Sequence, residues 1–146
     1  MTGPRRADVE TIESILAAFY DCISGPAGPR DWDRERHLWA PGARLMPTSP
    51  REDGGHAVEI FDKEGYIASR AQIFAEADFF EKEIDRRILR FGNIAQVWST
   101  FEGRRAPDGE IIVRGINSVQ LYYDGDRWWL LTALWDKERP GHPLPG

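Results

Sequence analysis

Cysteine is nearly missing from this 146-residue sequence. Cys22 stands alone, so no internal disulfide can form and a reducing, cytoplasmic setting is expected. Its expected place is a buried position on a helix, since no His or Asn constellation accompanies it. Histidine is almost as scarce: His37, His56 and His142 fall on a short helix, in a Gly-rich loop and in the tail. No metal-ligand spacing links them, and neither a metal nor a cofactor is expected. An apolar run of about 18 residues is lacking, as is an apolar N-terminal segment of the secretory kind, so neither a membrane span nor export is expected. The net charge of -5 argues against a nucleic acid or an anionic membrane as partner. There is also no G-x-G-x-x-G, no P-loop, no C-x-x-C and no nucleophile elbow.

What is present is concentrated in one stretch from Val113 to Asp136, V-R-G-I-N-S-V-Q-L-Y-Y-D-G-D-R-W-W-L-L-T-A-L-W-D. Two runs rich in β-branched and aromatic residues flank Asp124-Gly125, and Asp-Gly supplies the positive φ angles that a tight hairpin demands. A two-residue loop sets Ser118 opposite Leu131 and Arg114 opposite Trp135, so that Arg114, Ser118 and Trp135 share a face. A three-residue loop with a bulge would slip the register by one and bring Asn117, in place of Ser118, to the side of Trp135. The two-residue loop is the preferred reading. Both faces are apolar, so something must cover each of them.

The rest of the chain supplies the cover. Residues 1–7 read as a polar tail, after which Asp8 is placed to cap a helix with Val9, Ile12, Leu16, Phe19 and Ile23 at helical spacing. Asp31 starts a short second helix that Pro41-Gly42 stops. A strand over residues 43–46 precedes a breaker-rich loop, 47–57, and strand resumes over 58–61. Asp62 caps a third helix whose stripe includes Tyr66, Arg70 and Phe74. Residues 83–91 and 94–101 then pair around Gly92-Asn93, with Ile84, Arg86, Ser99 and Phe101 on one face. Glu81, Glu83 and Asp85, interspersed with Arg86, Arg87 and Arg90, read as a mixed solvated face. Residues 138–146 are a Pro-rich tail, and 8–137 read as one domain. This order predicts an α+β domain: a cone-like curved antiparallel sheet with three helices on its concave face. The convex face is left to meet a second copy, so a homodimer is expected.

The segments F-Y-D-C-I-S-G, D-W-D-R-E-R-H-L-W-A-P-G-A-R-L-M-P, F-G-N-I-A-Q-V-W-S-T-F-E, R-G-I-N-S-V-Q-L-Y-Y-D-G-D-R-W-W-L-L and the closing A-L-W-D, taken in this order, resemble the nuclear transport factor 2-like superfamily. The likeness is to its SnoaL-like members and covers residues 8 to 137. It implies a cone-shaped α+β barrel, frequent dimers and a deep apolar pocket. The superfamily holds isomerases, dehydratases, cyclases and plain binding domains, so the fold alone leaves function open. In its isomerases a base Asp follows the first strand, where this chain has Met46-Pro47-Thr48. A second Asp on the penultimate strand falls near Asn117, Ser118 or Val119, none of which acts as a base at neutral pH. Only the helix-one Tyr, which falls near Phe19 or Tyr20, has a counterpart.

From these readings the expected ligand-binding residues are Tyr20, Met46, Arg86, Phe101, Arg114, Ser118, Asn117 and Trp135. Arg114 is either a clamp for a ligand anion or an edge ion pair with Asp136, Glu138 or Glu102. Arg86 meets either a ligand anion or Glu83 and Glu81. The expected partner is a small hydrophobic molecule, aromatic, polyketide-like or steroid-like, with cofactor-independent lyase or isomerase chemistry as an extension. The alternative is a non-catalytic dimeric interaction module.

Overall fold

The computed structural model describes residues 1–145; Gly146, the end of the expected tail, lies outside the described residues. A 3-10 helical turn, Arg6–Val9, leads to α1 (Ile12–Ile23) and α2 (Trp32–Leu38). β1 (Trp39–Pro50) and β2 (His56–Val58) precede α3 (Lys63–Glu76), and four long strands follow: β3 (Phe80–Phe91), β4 (Ile94–Arg104), β5 (Ile111–Tyr123) and β6 (Trp128–Lys137). They form one six-stranded mixed sheet in the order β2-β1-β6-β5-β4-β3. It curves without closing into a barrel, and the three helices cover one face, the cone-like arrangement expected from the sequence.

Each helix start has a local chemical cause. Asp31 and Asp62 accept from the backbone N–H of Arg34 and Gly65, which fixes α2 and α3 where the sequence places them. α1 differs: Thr11 and Ser14 form a reciprocal capping box, and the helix begins at Ile12. Asp8 caps nothing, because its carboxylate is buried against the Arg34 guanidinium, with Nε to Oδ2 at 2.8 Å. The buried stripe of α1 (Ile15, Leu16, Phe19) meets Leu38, Trp39 and Leu45 and the inward residues Val97, Leu121 and Leu130 in one core. Cys22 is buried on this helix.

Three features of the sheet depart from the sequence reading. β1 is longer than expected and lies parallel to β6, while antiparallel pairs link β2 to β1 and β3 through β6. The breaker-rich stretch 47–57 is mostly a hairpin arm of β1 and β2, since Thr48 pairs with Val58 and Pro50 with His56. The Asp124-Gly125 loop spans four residues, because Tyr123 pairs with Trp128. Asp124 is the reason: its Oδ1 accepts from the N–H groups of Asp126 and Arg127 and its Oδ2 from the Trp129 indole. A bulge at Leu131 then shifts the pairing, so Asn117 lies opposite Trp135 and Ser118 opposite Leu134. The β3–β4 hairpin keeps its two-residue turn, with Phe91 paired to Ile94 and Gly92 at a φ of 55°.

Candidate functional site

A cavity of about 430 Å³ opens between α1, α3 and the inner face of the sheet. Phe19 and Ile23 from α1, Tyr66 and Phe74 from α3, and Phe79, Phe101, Val113 and Trp135 from the sheet side form its apolar lining. Tyr66 meets Trp135 edge-on, with ring centroids 5.9 Å apart. Two glycines keep the rings close to the strands. A Cβ at Gly103 would sit 2.7 Å from a Val113 methyl and 2.9 Å from the Phe79 ring, and one at Gly115 would sit 2.7 Å from the Phe101 ring.

Five polar side chains line the same space: Arg70, Glu81, Arg105, Asn117 and Lys137. Glu81 is the chemical centre. It projects from β3 opposite Gly103, and no hydrogen bond or ion pair to its carboxyl occurs among the described residues. Desolvation pushes its pKa up to about 8, only partly offset by the charge of Lys137. The backbone of Glu81 is pinned, since Ser24 Oγ accepts from its N–H at 2.9 Å and donates to its C=O at 3.1 Å. The result is a positioned carboxyl whose neutral form is favoured by its mostly apolar surroundings.

Behind the cavity a polar chain ties α1 to three strands. Asn117 Nδ2 donates to Tyr20 Oη at 2.9 Å, and Tyr20 Oη and Ser99 Oγ lie 2.7 Å apart. Ser99 donates in turn to Glu83, whose carboxylate also accepts from Arg86 Nε at 2.7 Å. Ser99 is fully buried and Asn117 is 3 % exposed. Burial pushes the Tyr20 phenol pKa up, so the hydroxyl keeps its proton. A bulge at Ile84 lets Glu83 and Arg86 both face inward and pushes Ile84 out to solvent.

The structure brings four of the residues expected from sequence together. Phe101, Asn117 and Trp135 line the cavity, and Tyr20 backs Asn117. Arg86 lies opposite Ser99 as predicted and spends its charge on Glu83 rather than on the cavity. Arg114, Ser118 and Met46 lie on the opposite face, which corrects their expected placement. For Arg114 and Ser118 the Leu131 bulge is the cause; Met46 is displaced because Leu45 takes the inward position of β1. Arg114 Nε sits 3.3 Å from Glu138 Oε2, the edge-pair alternative, without hydrogen-bond alignment. Ser118 accepts from Gln96 at 2.9 Å. Glu81, expected on a solvated face or as a partner of Arg86, instead lines the cavity, because β3 begins at Phe80 rather than at residue 83.

A further carboxyl with a raised pKa lies away from the cavity. Glu35 on α2 accepts from the Trp39 indole at 3.0 Å, its Oε2 has no partner, and burial raises its pKa to about 7. Among the described residues no group of His, Cys, Asp or Glu is arranged to hold a metal ion. No helix of the described residues is long and apolar enough to cross a membrane.

No protein-family model and no curated protein matches this sequence. Solved structures do match in shape. An NTF-2 like protein of unknown function from Silicibacter pomeroyi is similar at a TM-score of 0.56 with 12% identity, over 87% of this chain and 92% of that one. An uncharacterised protein with a cystatin-like fold from Caulobacter vibrioides gives a TM-score of 0.63 at 11% identity, over 89% of each chain. A hexachlorocyclohexane dehydrochlorinase, LinA-type3, from Novosphingobium barchaimii gives 0.63 at 10% identity, over 88% of this chain and 84% of that one. At such identities the likeness is one of fold.

Proposed function

We propose that this is a SnoaL-like small-molecule-binding protein whose cavity holds an aromatic, polyketide-like or steroid-like ligand, and that Glu81 moves a proton on that ligand without a cofactor. The observation that carries the reading is the Glu81 carboxyl, unpaired in a largely apolar space of about 430 Å³ and with its pKa raised to about 8. Pockets of this size and lining suit small ligands. A carboxyl that titrates near neutrality is poised both to take and to return a proton. In an isomerisation the ionised form of Glu81 removes a proton from one carbon and, as the acid so formed, returns it to another as the double bond shifts. In an elimination it takes the proton while the leaving group departs with the bonding pair, chemistry in keeping with the dehydrochlorinase that shares this fold. Buried, solitary Cys22 supports a reducing, cytoplasmic setting.

The test is hydrogen exchange in D2O with a panel of enolisable aromatic and steroid-like ketones, followed by NMR. The wild type is expected to incorporate deuterium, and Glu81→Gln to lose at least about a hundredfold of the rate while still binding the same ketone. Equal rates in the two proteins would remove Glu81 from the chemistry.

A second reading, a homodimeric interaction module, is favoured by the convex face. Leu89 and Phe91 are 70 % and 83 % exposed there, beside exposed Ile94, Trp98 and Leu134. Apolar exposure on this scale marks an interaction surface, and two copies meeting through it would cover one another. Sedimentation is expected to give a dimer that Trp98→Glu splits; a wild-type monomer counts against it.

A further inference from the structure

Proton accounting along the polar chain fixes which atom Asn117 offers to the cavity. The Glu83 carboxylate, paired with Arg86, only accepts, so the one hydroxyl proton of Ser99 is spent on it. The proton between Tyr20 and Ser99 must then come from Tyr20, which leaves Tyr20 Oη as an acceptor toward Asn117. Asn117 therefore turns its amide N–H to Tyr20, and its Oδ1, which has no protein partner, faces the space that the residue lines. The inner polar anchor is an acceptor.

The rim has the opposite character. Arg70, Arg105 and Lys137 line the opening, and among the described residues none of them makes an ion pair. Arg70 rests on the Tyr66 ring at 5.0 Å, and Arg105 reaches only the carbonyl of Asp78, at 3.3 Å. In a chain whose net charge is -5, three unpaired cations around one opening form a local field that attracts an anion. Glu81 shares the lining, and desolvation favours its neutral form over a carboxylate that would offset these charges.

We propose that the ligand is an organic acid carrying a hydrogen-bond donor: its carboxylate sits among Arg70, Arg105 and Lys137, its apolar body lies against Phe101 and Trp135, and its O–H or N–H reaches Oδ1 of Asn117. This rests on the reading of the cavity as a ligand site and narrows the class of molecule it takes. Charged contacts at the rim supply steering and affinity, whereas the buried acceptor rejects ligands that cannot donate to it.

The probe is fluorescent hydroxynaphthoate, compared with its methyl ester, which lacks the charge, and with methoxynaphthoate, which lacks the donor. Titration is expected to show hydroxynaphthoate binding roughly tenfold tighter than either analogue. Arg105→Gln and Lys137→Gln should each weaken the acid several-fold and leave the ester unchanged. Acid and ester binding equally well would overturn the proposal and leave the ligand site standing. Binding of none of the three would overturn both.

Discussion

Glu81 and Glu83 stand two residues apart on β3, both inward, and have opposite fates. Glu83 lies in the closed half of the cone, where Ser99 and Arg86 satisfy it and Tyr20 and Asn117 extend the chain. Glu81 lies in the open half, desolvated, with nothing to accept from. The same side chain is structural where the fold supplies partners and chemically available where it withholds them. Burial alone therefore does not mark a site; burial combined with a missing partner beside a hollow does.

The sharpest way to test this contrast is stability against pH. Folding raises the Glu81 pKa to about 8, so between about pH 4.5 and 8 the folded chain holds a proton that the unfolded chain has released. Its stabilising effect is complete below that window and is lost as pH rises through it. Glu35, raised to about 7, acts with the same sign and is common to both proteins. Urea unfolding at pH 5.5 and 8.5 should show wild type losing on the order of 3 kcal/mol more than Glu81→Gln. Equal losses would mean that Glu81 is not desolvated. In the closed half, Glu83→Ala strands Ser99 and Arg86 and should cost about 2 kcal/mol, measured by the same unfolding. A cost near zero would show that its bonds to Ser99 and Arg86 do not hold this half together. The smallest effect belongs to the far face, where Arg114→Ala should change stability by less than about 0.5 kcal/mol in thermal melts; a larger loss would show that its contact with Glu138 matters.

Much of this architecture is legible in the residues. The amphipathic stripe of α1, the Asp31 and Asp62 caps and the Gly92-Asn93 turn are local signals, and local geometry honours them. Register is different, because one residue of slip exchanges the two faces of a strand. The Leu131 bulge causes such a slip, moving Asn117 in and Arg114 and Ser118 out, whereas the longer Asp124 loop shifts the pairing by two and leaves the faces as they were. Trp135 and Phe101 kept their inward places because large aromatic rings find their cover on the helix side. Glu81 was illegible for a further reason: only the tertiary hollow leaves its carboxyl without a partner, and no spacing rule encodes a hollow.

The parallel pairing of β1 with β6 also bears on how the chain folds. Thr48 donates to the carbonyl of Trp135, 87 residues further along, so this seam waits until almost the whole polypeptide is available. Closing so large a loop is slow and brings its reward late. The β1–β2 arm emerges early and must linger unpaired along one edge, which makes it the segment most exposed to association with other nascent chains.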